Sequence, residues 1–419
     1  MISQYEARAT GRRLAERASH RGALPRELRL ETLFYGVIFV AAVLTRFWDL
    51  GSRALHHDES LHAYFSWIYA EGLGYQHDPL MHGPFLFHAN ALLYLLFGAS
   101  DYVSRIMPAV AGVAVVMLPL LLRGRGLLGR WGALAASALL LVSPSILYYS
   151  RFIRHDLYAL LGTFVLFIAM LRYVESPAPR WAITGGIAAG FLLTTKEVSF
   201  ISLFILATFV FLAVALRSAR ELVAVMVGAG VLVAVGARLL QAMGVAELPG
   251  IPWQSPTTSD IGRFTRDLLT HPLVLLLLGV GLLAVITAIL LLRRRVQPEQ
   301  GWITSILGSA PAGSVSAGLS ALLTERRPLW IGLAGGATIF VALYTSLFTN
   351  LGGLASGTFG ALGYWLGQHG VQRGEQPWFY YLLLVPQYEF VAAAFLPFGA
   401  VLTVARAVRG GRSGRGLDR

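Results

Sequence analysis

The chain has 419 residues, of which 56% are hydrophobic and only 13% are charged. A soluble globular protein carries about twice that charged share, so this composition excludes an ordinary soluble enzyme. The sequence contains no cysteine, which excludes disulfides, zinc–thiolate sites, iron–sulfur clusters and cysteine nucleophiles. The formal net charge of +12 would suit a nucleic-acid partner, but its distribution along the chain indicates membrane orientation instead.

Apolar runs recur along the chain, and a run of about twenty residues can cross a hydrocarbon core of roughly 30 Å. They predict an all-α polytopic membrane protein with about ten transmembrane helices. These lie near residues 31–48, 103–122, 131–149, 156–172, 181–195, 198–216, 221–240, 272–292, 329–348 and 379–405. We therefore predict one transmembrane domain over 31–405, between a basic arm (1–30) and a basic tail (406–419).

The basic residues predict the orientation of this domain. Most of the 34 Lys and Arg residues fall in the arm, in the tail and in the loops on one predicted side of the membrane. Because Lys and Arg resist translocation, we predict a multi-pass protein of the plasma membrane with both termini in the cytoplasm. Every histidine except His20 falls at or beyond the opposite surface. Residues able to do chemistry are thus predicted on the extracytoplasmic face.

The first outer loop, residues 49–102, has the clearest pattern. Apolar residues at helical spacing from Leu61 to Ile68 predict a helix over about 59–71 that lies in the membrane interface. Pro84 can start a second helix that runs to about residue 97. The first outer loop is therefore predicted to carry two interfacial helices.

Two carboxylates, Asp58 and Glu59, follow closely after the first predicted span. Near the bilayer surface, a carboxylate can deprotonate an acceptor or bind a divalent cation. The alternative is that Asp58 is an N-cap and Glu59 a first-turn charge. His57 and His62 can complete a loose metal site with Asp58, although their spacing of five does not match zinc proteases.

A second group of charges lies in later outer segments. Arg151 and Arg154 flank a helix entrance, where arginine can grip a phosphate or extend to lipid headgroups. Asp156 opens a membrane helix and needs a partner or a cavity. Lys196, the only lysine, suits a lipid phosphate, or it pairs with Glu197.

Three further positions attract attention in the sequence. His82 precedes Gly83-Pro84 in a turn, where it can face a headgroup phosphate. Glu389 lies inside the last predicted span, and an ionisable group there is by default a hypothesis for a functional site. Arg105 lies near an outer helix end and can extend to the interface or pair with the acids.

Five motifs form an ordered series that resembles a known superfamily. They are H-H-D-E-S-L-H-A-Y, G-Y-Q-H-D-P-L-M-H-G-P, S-R-F-I-R-H-D, T-T-K-E and Y-W-L-G-Q-H-G-V-Q-R-G-E-Q-P-W-F-Y-Y. The series resembles the polyprenyl-phosphate-sugar glycosyltransferases of the GT-C superfamily, which include protein O-mannosyltransferases and the lipid A aminoarabinose transferase. Within that group, the chain is most similar to a flippase-activity-associated membrane family of archaeal-type N-glycosylation.

The resemblance implies a role for each matching residue and a GT-C-like fold. The catalytic group would be Asp58, acting as base or metal ligand, with Glu59 and Asp156. The residues beside the donor phosphate would be His82, Arg151, Arg154 and Lys196. Supporting roles would fall to His57, His62, Arg105 and Glu389. The chain departs from the family where Gly83-Pro84 replaces a Pro-Pro pair, and it lacks the soluble domains that would identify an acceptor.

Three functions compete at this point. The first is an inverting glycosyltransferase that moves a sugar from a polyprenyl-phosphate donor to an acceptor on the extracytoplasmic face, with a divalent metal as the one cofactor considered. The second is a flippase or transporter of lipid-linked saccharides, which predicts ionisable groups at mid-membrane depth. The third is a non-catalytic subunit of a membrane assembly. The predicted partners are a polyprenyl-phosphate-linked sugar and membrane lipids, and no nucleic acid.

Overall fold

The computed structural model describes residues 26–412 except 125, 246–247, 252–256, 298, 300, 309 and 369–375. Across these residues the protein is helical and has no β-strand, which confirms the predicted all-α class. The predicted basic arm up to residue 25 and the tail from residue 413 lie outside the described residues.

The first half of the described chain forms nine α-helices. These are α1 (Arg26–Phe47), α2 (His57–Ala70), α3 (Phe85–Phe97), α4 (Asp101–Ser104), α5 (Ile106–Met117), α6 (Gly129–Val142), α7 (Pro144–Tyr149), α8 (Asp156–Glu175) and α9 (Pro179–Leu193). Short 3₁₀ helices lie at Pro79–Met81 and Leu118–Leu122. Helices α2 and α3 confirm the two helices predicted in the first outer loop, and their position in the interface stays a prediction.

The second half continues with eleven α-helices in the described residues. These are α10 (Val198–Ser218), α11 (Arg220–Ala242), α12 (Thr258–Thr270), α13 (Pro272–Arg293), α14 (Gly301–Leu307), α15 (Val315–Thr324), α16 (Arg327–Tyr344), α17 (Gly352–Ala355), α18 (Ala361–Gln368), α19 (Tyr380–Tyr388) and α20 (Phe390–Arg412). A π-helical turn at Ser356–Gly360 joins α17 to α18.

Seven helical segments of the described chain are long and apolar enough to cross a membrane. They are Leu30–Phe47, Asp101–Leu122, Asp156–Glu175, Val198–Ser218, Arg220–Ala242, Pro272–Arg293 and Arg327–Tyr344. An eighth is formed if α19 and α20, which are bent by 105°, count as one span. The protein is thus a multi-pass membrane protein, with seven or eight candidate spans of this length in the described residues against about ten predicted.

Two of the predicted spans form shorter helices. The predicted span 131–149 divides at Ser143-Pro144, because proline lacks the N–H that would continue α6 and disfavours helical backbone at the residue before it. Helix α9, in the predicted span 181–195, has 15 residues. At 1.5 Å per residue it is only about 22 Å long, short of the hydrocarbon thickness.

Helices α9 and α16 pack at unusually close range. A Cβ added at Gly186 or Gly190 of α9 would overlap the backbone of Gly332 or Gly336 in α16. Facing small residues allow helix backbones to approach in this way in membrane proteins. The contact fixes the end of α9, and therefore the position of Thr194 and Thr195, whose carbonyls accept hydrogen bonds from the amides of Phe85 and Gly83.

A buried apolar cluster holds the outer-loop helices against the start of α8. It contains Leu86 and Phe87 of α3, Ile153 of the loop before α8, and Leu157 and Tyr158 of α8. Ile153 is completely buried, and burial of such a side chain stabilises the fold by about 1.5–3 kcal/mol. The cluster brings the loop 150–155 beside the start of α2.

Candidate active site

The start of α2 presents Asp58 away from the helix backbone. His56 is the N-cap, and its side chain accepts a hydrogen bond from the amide of Asp58. Glu59 completes a capping box by accepting from the backbone amide of His56 at 3.0 Å. Because other residues cap the helix, the alternative role of Asp58 as the N-cap does not hold. Its side chain is 41% exposed and reaches across to the next loop.

Four side chains of alternating charge form a continuous chain beside α2. Arg154 Nη1 donates to Asp58 Oδ2 at 2.6 Å, and its Nε lies 3.4 Å from Asp156 Oδ2. Lys196 Nζ donates to the other oxygen of Asp156 at 2.7 Å. The structure thus brings together four of the predicted site residues from three separate segments, and pairs Lys196 with Asp156 where the sequence left Glu197 open as its partner.

The turn at His82-Gly83-Pro84 lies against the end of α9. The amide of Gly83 donates to the carbonyl of Thr195, and the amide of Phe85 donates to that of Thr194, both at 3.0 Å. A Cβ on Gly83 would overlap the Thr194 carbonyl, so only glycine fits this approach. The glycine that departs from the family's Pro-Pro pair is therefore required here by the contact with α9.

His82 is held in place from two sides. Its Nδ1 lies 2.7 Å from Glu197 Oε2, and its ring stacks on Trp365 with the planes 6° apart. Its backbone has a φ of 66°, which is uncommon for a residue other than glycine. The sequence did not identify Glu197 or Trp365 as partners of His82, although both stand within the motifs quoted above.

Two buried histidines lie near His82, namely His62 of α2 and His155 of the loop before α8. The ring of His155 lies 4.9 Å from that of His62 and 5.4 Å from that of His82. Burial, together with the neighbouring His82 and Arg154, lowers the pKa of His62 to about 4. Burial also places the pKa of His155 well below its usual range. Both rings are therefore neutral near pH 7, and His62 is not a cationic phosphate ligand.

Glu59 and Arg105 form a buried ion pair. Arg105 donates from Nε and Nη2 to the two carboxylate oxygens at 2.9 Å each. Burial alone would raise the pKa of Glu59, but hydrogen bonds from Arg105 and from the amides of His56 and Ile153 lower it. Both side chains are almost completely buried. Glu59 therefore has the environment of a structural carboxylate rather than that of a base.

Arg151 occupies a different place from the one predicted. Its guanidinium donates to the carbonyls of Thr45, Arg46, Trp48 and Asp49 at the end of α1. It thereby satisfies carbonyls that the helix leaves without partners. The structure does not place Arg151 in the Asp58–Lys196 chain, because its hydrogen bonds go to the end of α1.

Glu389 is also used in a helix cap. It lies at the bend between α19 and α20, and its Oε1 accepts from Ser143 Oγ at 2.7 Å and from the amide of Ser145 at 3.0 Å. These bonds attach the last helices to the start of α7. Glu389, the residue that most supported the transporter hypothesis, is thus engaged in a structural contact.

The predicted metal ligands do not assemble. In the part of the chain that the structure describes, no group of three or more His, Asp or Glu side chains is placed to hold a metal ion. His57 is exposed, His62 is buried, and Asp58 is bound to Arg154. The cluster around Asp58 contains too many cations to suit a divalent metal, so we assign it no metal-dependent step.

A match to a known protein family includes some of the residues of this site. Residues 81–240, less than half of the chain, match the family described as dolichyl-phosphate-mannose-protein mannosyltransferase. The match contains His82, Arg154, Asp156 and Lys196 but not Asp58. No curated protein matches the chain. The narrower flippase-associated family stays a prediction.

One solved structure is similar, the crystal structure of ArnT from Cupriavidus metallidurans bound to undecaprenyl phosphate. The two sequences are 18% identical, and the alignment covers 80% of this chain and 59% of that chain. This protein therefore spans less than two thirds of the length of ArnT. The TM-score is 0.34, which does not establish a common fold.

Proposed function

We propose that the protein is a membrane glycosyltransferase of GT-C type, which moves a sugar from a polyprenyl-phosphate donor to an acceptor on the extracytoplasmic face. The observation that carries the proposal is the chain Asp58–Arg154–Asp156–Lys196 beside His82. The partial match to a family of mannosyltransferases supports the reaction class. The proposed topology has residues 31–405 as the membrane domain and both termini in the cytoplasm.

The two cations of this series of side chains, Arg154 and Lys196, suit a phosphate that gains negative charge. Arg154 and Lys196 are held by carboxylates in the resting site, so their positions are fixed before a substrate arrives. A lipid phosphate would compete with Asp58 and Asp156 for their donors, because charge-assisted hydrogen bonds to phosphate are strong. The cations then stabilise the phosphate as the bond to the sugar breaks.

Asp58 is the proposed base for this reaction. When Arg154 turns toward the phosphate, the Asp58 carboxylate is free to take the proton of an acceptor hydroxyl or amide. The acceptor atom forms a bond to the anomeric carbon, and the bond from that carbon to the phosphate oxygen breaks with its electron pair on oxygen. Attack from the face opposite the phosphate inverts the anomeric centre.

His82 is proposed to bind the phosphate on the side away from Asp58. Glu197 holds its Nδ1, so the ring presents Nε2 as the donor to a substrate oxygen. Glu197 and Trp365 would act as positioning residues because both touch His82.

The decisive experiment follows a radiolabelled sugar. The purified full-length protein in lipid nanodiscs receives polyprenyl-phosphate donors with labelled hexoses, and a cell-envelope extract supplies acceptors. We expect label to leave the lipid fraction, and Asp58→Asn to slow this by about 10²-fold or more. Asp267→Asn, at an exposed carboxylate of α12, is the matched control and should transfer normally.

The same preparation separates the competing functions. Undiminished transfer by Asp58→Asn refutes the assignment of the base. Movement of intact labelled lipid across a proteoliposome membrane, without loss of sugar, would identify a flippase. Absence of both activities with every donor would favour a non-catalytic subunit.

A further inference from the structure

The motif that contains His82 has a second part that the proposed reaction does not use. Gln76, His77 and Asp78 precede the 3₁₀ helix Pro79–Met81, which leads directly to His82. These three residues line a cavity of about 290 Å³ together with Phe65 and Phe87. This volume is near the lower limit for small-molecule sites, which usually measure about 300–1,000 Å³.

One wall of the cavity is polar. Gln76 is exposed, and its amide can both donate and accept hydrogen bonds. Asp78 accepts from the amide of Leu80 through Oδ1 at 2.8 Å, which leaves Oδ2 available. His77 contacts Ser356 Oγ through Nδ1 at 3.1 Å. Asp78 is the only acidic or permanently basic residue among the residues that line the cavity.

Aromatic side chains form another part of the lining. Phe65 of α2 and Phe87 of α3 both line the cavity, and Tyr75 stacks on Phe87 with ring centroids 5.1 Å apart. A sugar ring has an apolar C–H face and an edge of hydroxyl groups. A cavity lined by aromatic rings together with an amide and a carboxylate offers contacts to both.

The cavity continues the face of α2 that carries Asp58. Asp58, His62 and Phe65 stand at positions i, i+4 and i+7 of the helix, so they share one face. Seven residues of helix rise about 10.5 Å. Met81, which also lines the cavity, directly precedes His82. The cavity therefore lies next to a residue proposed to bind the donor phosphate, where the attached saccharide would be.

A strained segment holds the polar wall in place. Ser346, Leu347 and Phe348 follow α16 with φ values of 49°, 56° and 70°, a left-handed backbone that is uncommon for residues other than glycine. Ser346 Oγ donates to the carbonyl of Tyr75 at 3.0 Å. Such conformations persist where surrounding contacts compensate for them, and they are frequent at ligand sites.

We propose that this cavity binds the saccharide of the polyprenyl-phosphate donor and favours neutral sugars over acidic ones. Phe65 and Phe87 would pack against the ring, while Gln76 and Asp78 would bind its hydroxyl groups. A uronic acid would place a second carboxylate beside Asp78 and be repelled. This inference rests on the proposed function, because it names the sugar-binding part of the same site.

Equilibrium binding tests the inference without turnover. The probes are undecaprenyl phosphate, undecaprenyl-phosphate glucose and undecaprenyl-phosphate glucuronate, added to full-length Asp58→Asn protein in nanodiscs. We expect the glucose lipid to bind about tenfold more tightly than the bare lipid. The sugar makes contacts with the cavity that the bare lipid lacks. The glucuronate lipid should bind more weakly than the glucose lipid.

Two substitutions locate the effect. Asp78→Asn keeps the cap of the 3₁₀ helix, because asparagine caps as well as aspartate, and Gln76→Leu changes an exposed side chain. Both should reduce the preference for the glucose lipid severalfold and leave the affinity for bare undecaprenyl phosphate unchanged. Asp78→Asn should also improve binding of the glucuronate lipid.

Either of two results would overturn the inference. One is equal binding of the three lipids by the protein with the native cavity. The other is an equal loss of affinity for bare and glucose-linked lipid in the cavity variants. The outcome is independent of the catalytic assignment, since transfer that survives Asp58→Asn would refute Asp58 as base and leave these binding results intact.

Discussion

Arg154 donates a hydrogen bond of 2.6 Å to Asp58, and the two residues are 96 positions apart in the chain. The same guanidinium faces Asp156 at 3.4 Å. Arg154 therefore links the start of α2 to the start of α8. In the proposed reaction, this pair opens before Asp58 takes a proton from the acceptor. Binding of an anion to Arg154 would release the carboxylate, which couples donor binding to activation of the base.

Arg154→Lys tests this double contact. Lysine keeps the charge but lacks the planar fork that reaches both carboxylates. We expect transfer to fall by about 10–100-fold and the donor concentration for half-maximal rate to rise. The measurement is steady-state transfer over a range of donor concentrations.

Arg151→Lys is the matched control for Arg154→Lys. Arg151 binds four backbone carbonyls at the end of α1, so this substitution should lower the unfolding temperature and leave the dependence on donor concentration unchanged. A stronger effect on donor affinity from Arg151 than from Arg154 would move the phosphate site to the end of α1.

Glu59→Gln should destabilise the protein. It leaves the buried guanidinium of Arg105 without a carboxylate, and breaking a buried pair costs about 3–5 kcal/mol. Asp58→Asn, at a half-exposed side chain, should change stability by less than about 1 kcal/mol. Thermal unfolding in detergent micelles measures both variants.

A double variant completes the test of this pair. Replacing Glu59 and Arg105 together with methionine removes both buried charges, so it should be more stable than Glu59→Gln. If Glu59→Gln instead unfolds like the unsubstituted protein and loses only transfer, Glu59 belongs to the catalytic group.

The sequence predicts which charged residues stand at helix entrances, but it does not predict how they pair. Asp58, Arg154, Asp156 and Lys196 stand at predicted helix entrances, and the structure gathers all four. The partner of each depends on the packing of helices far apart in sequence. Lys196 has Glu197 as its neighbour in the chain, yet the turn after α9 directs Lys196 to Asp156 and Glu197 to His82.

The fold shows a similar division between local and distant information. Apolar spacing in the first outer loop located α2 and α3 to within two residues, because that spacing is a local property. Two predicted spans form shorter helices, since mean apolarity does not reveal that a helix ends before Pro144 or that α9 has only 15 residues. The role of Arg151 could not be predicted, because the end of α1 reaches it only in the folded protein.

Gly83→Ala should separate the His82 turn from α9. The added methyl group would overlap the carbonyl of Thr194, so the turn must move and its two backbone hydrogen bonds to α9 weaken. We expect a loss of about 1–3 kcal/mol of stability and a clear loss of transfer, because His82 moves away from Glu197.

Gly36→Ala provides the comparison for Gly83→Ala. A Cβ at Gly36 meets nothing within 4 Å, and alanine is the better helix former. This variant should be as stable as the unsubstituted protein or more so. Equal behaviour of the two alanine variants would contradict the close approach at Gly83.

Acidification should destabilise the protein through His62. The pKa of this buried ring is about 4, below the ordinary value of 6.5, so between those values the unfolded chain binds a proton that the folded protein does not. Stability contributed by the neutral ring is therefore complete above about pH 6.5 and declines as the pH falls toward 4. The slope is about 1.4 kcal/mol per pH unit for one such group.

His62→Phe removes that proton uptake. Between pH 6.5 and 4, the unfolding temperature of this variant should depend less steeply on pH than that of the unsubstituted protein. His77 and His155 are present in both proteins and contribute to both curves. Parallel curves for the two proteins would mean that His62 binds its proton at the same pH in the folded and the unfolded protein. That result would contradict the lowered pKa.

A cryo-electron microscopy map of the full-length protein with undecaprenyl phosphate tests the central claim most directly. We predict that the phosphate contacts Arg154, Lys196 and His82, and that Asp58 has lost its hydrogen bond to Arg154. A phosphate bound elsewhere, for example at the end of α1, with the Asp58–Arg154–Asp156–Lys196 chain unbroken, would contradict the claim.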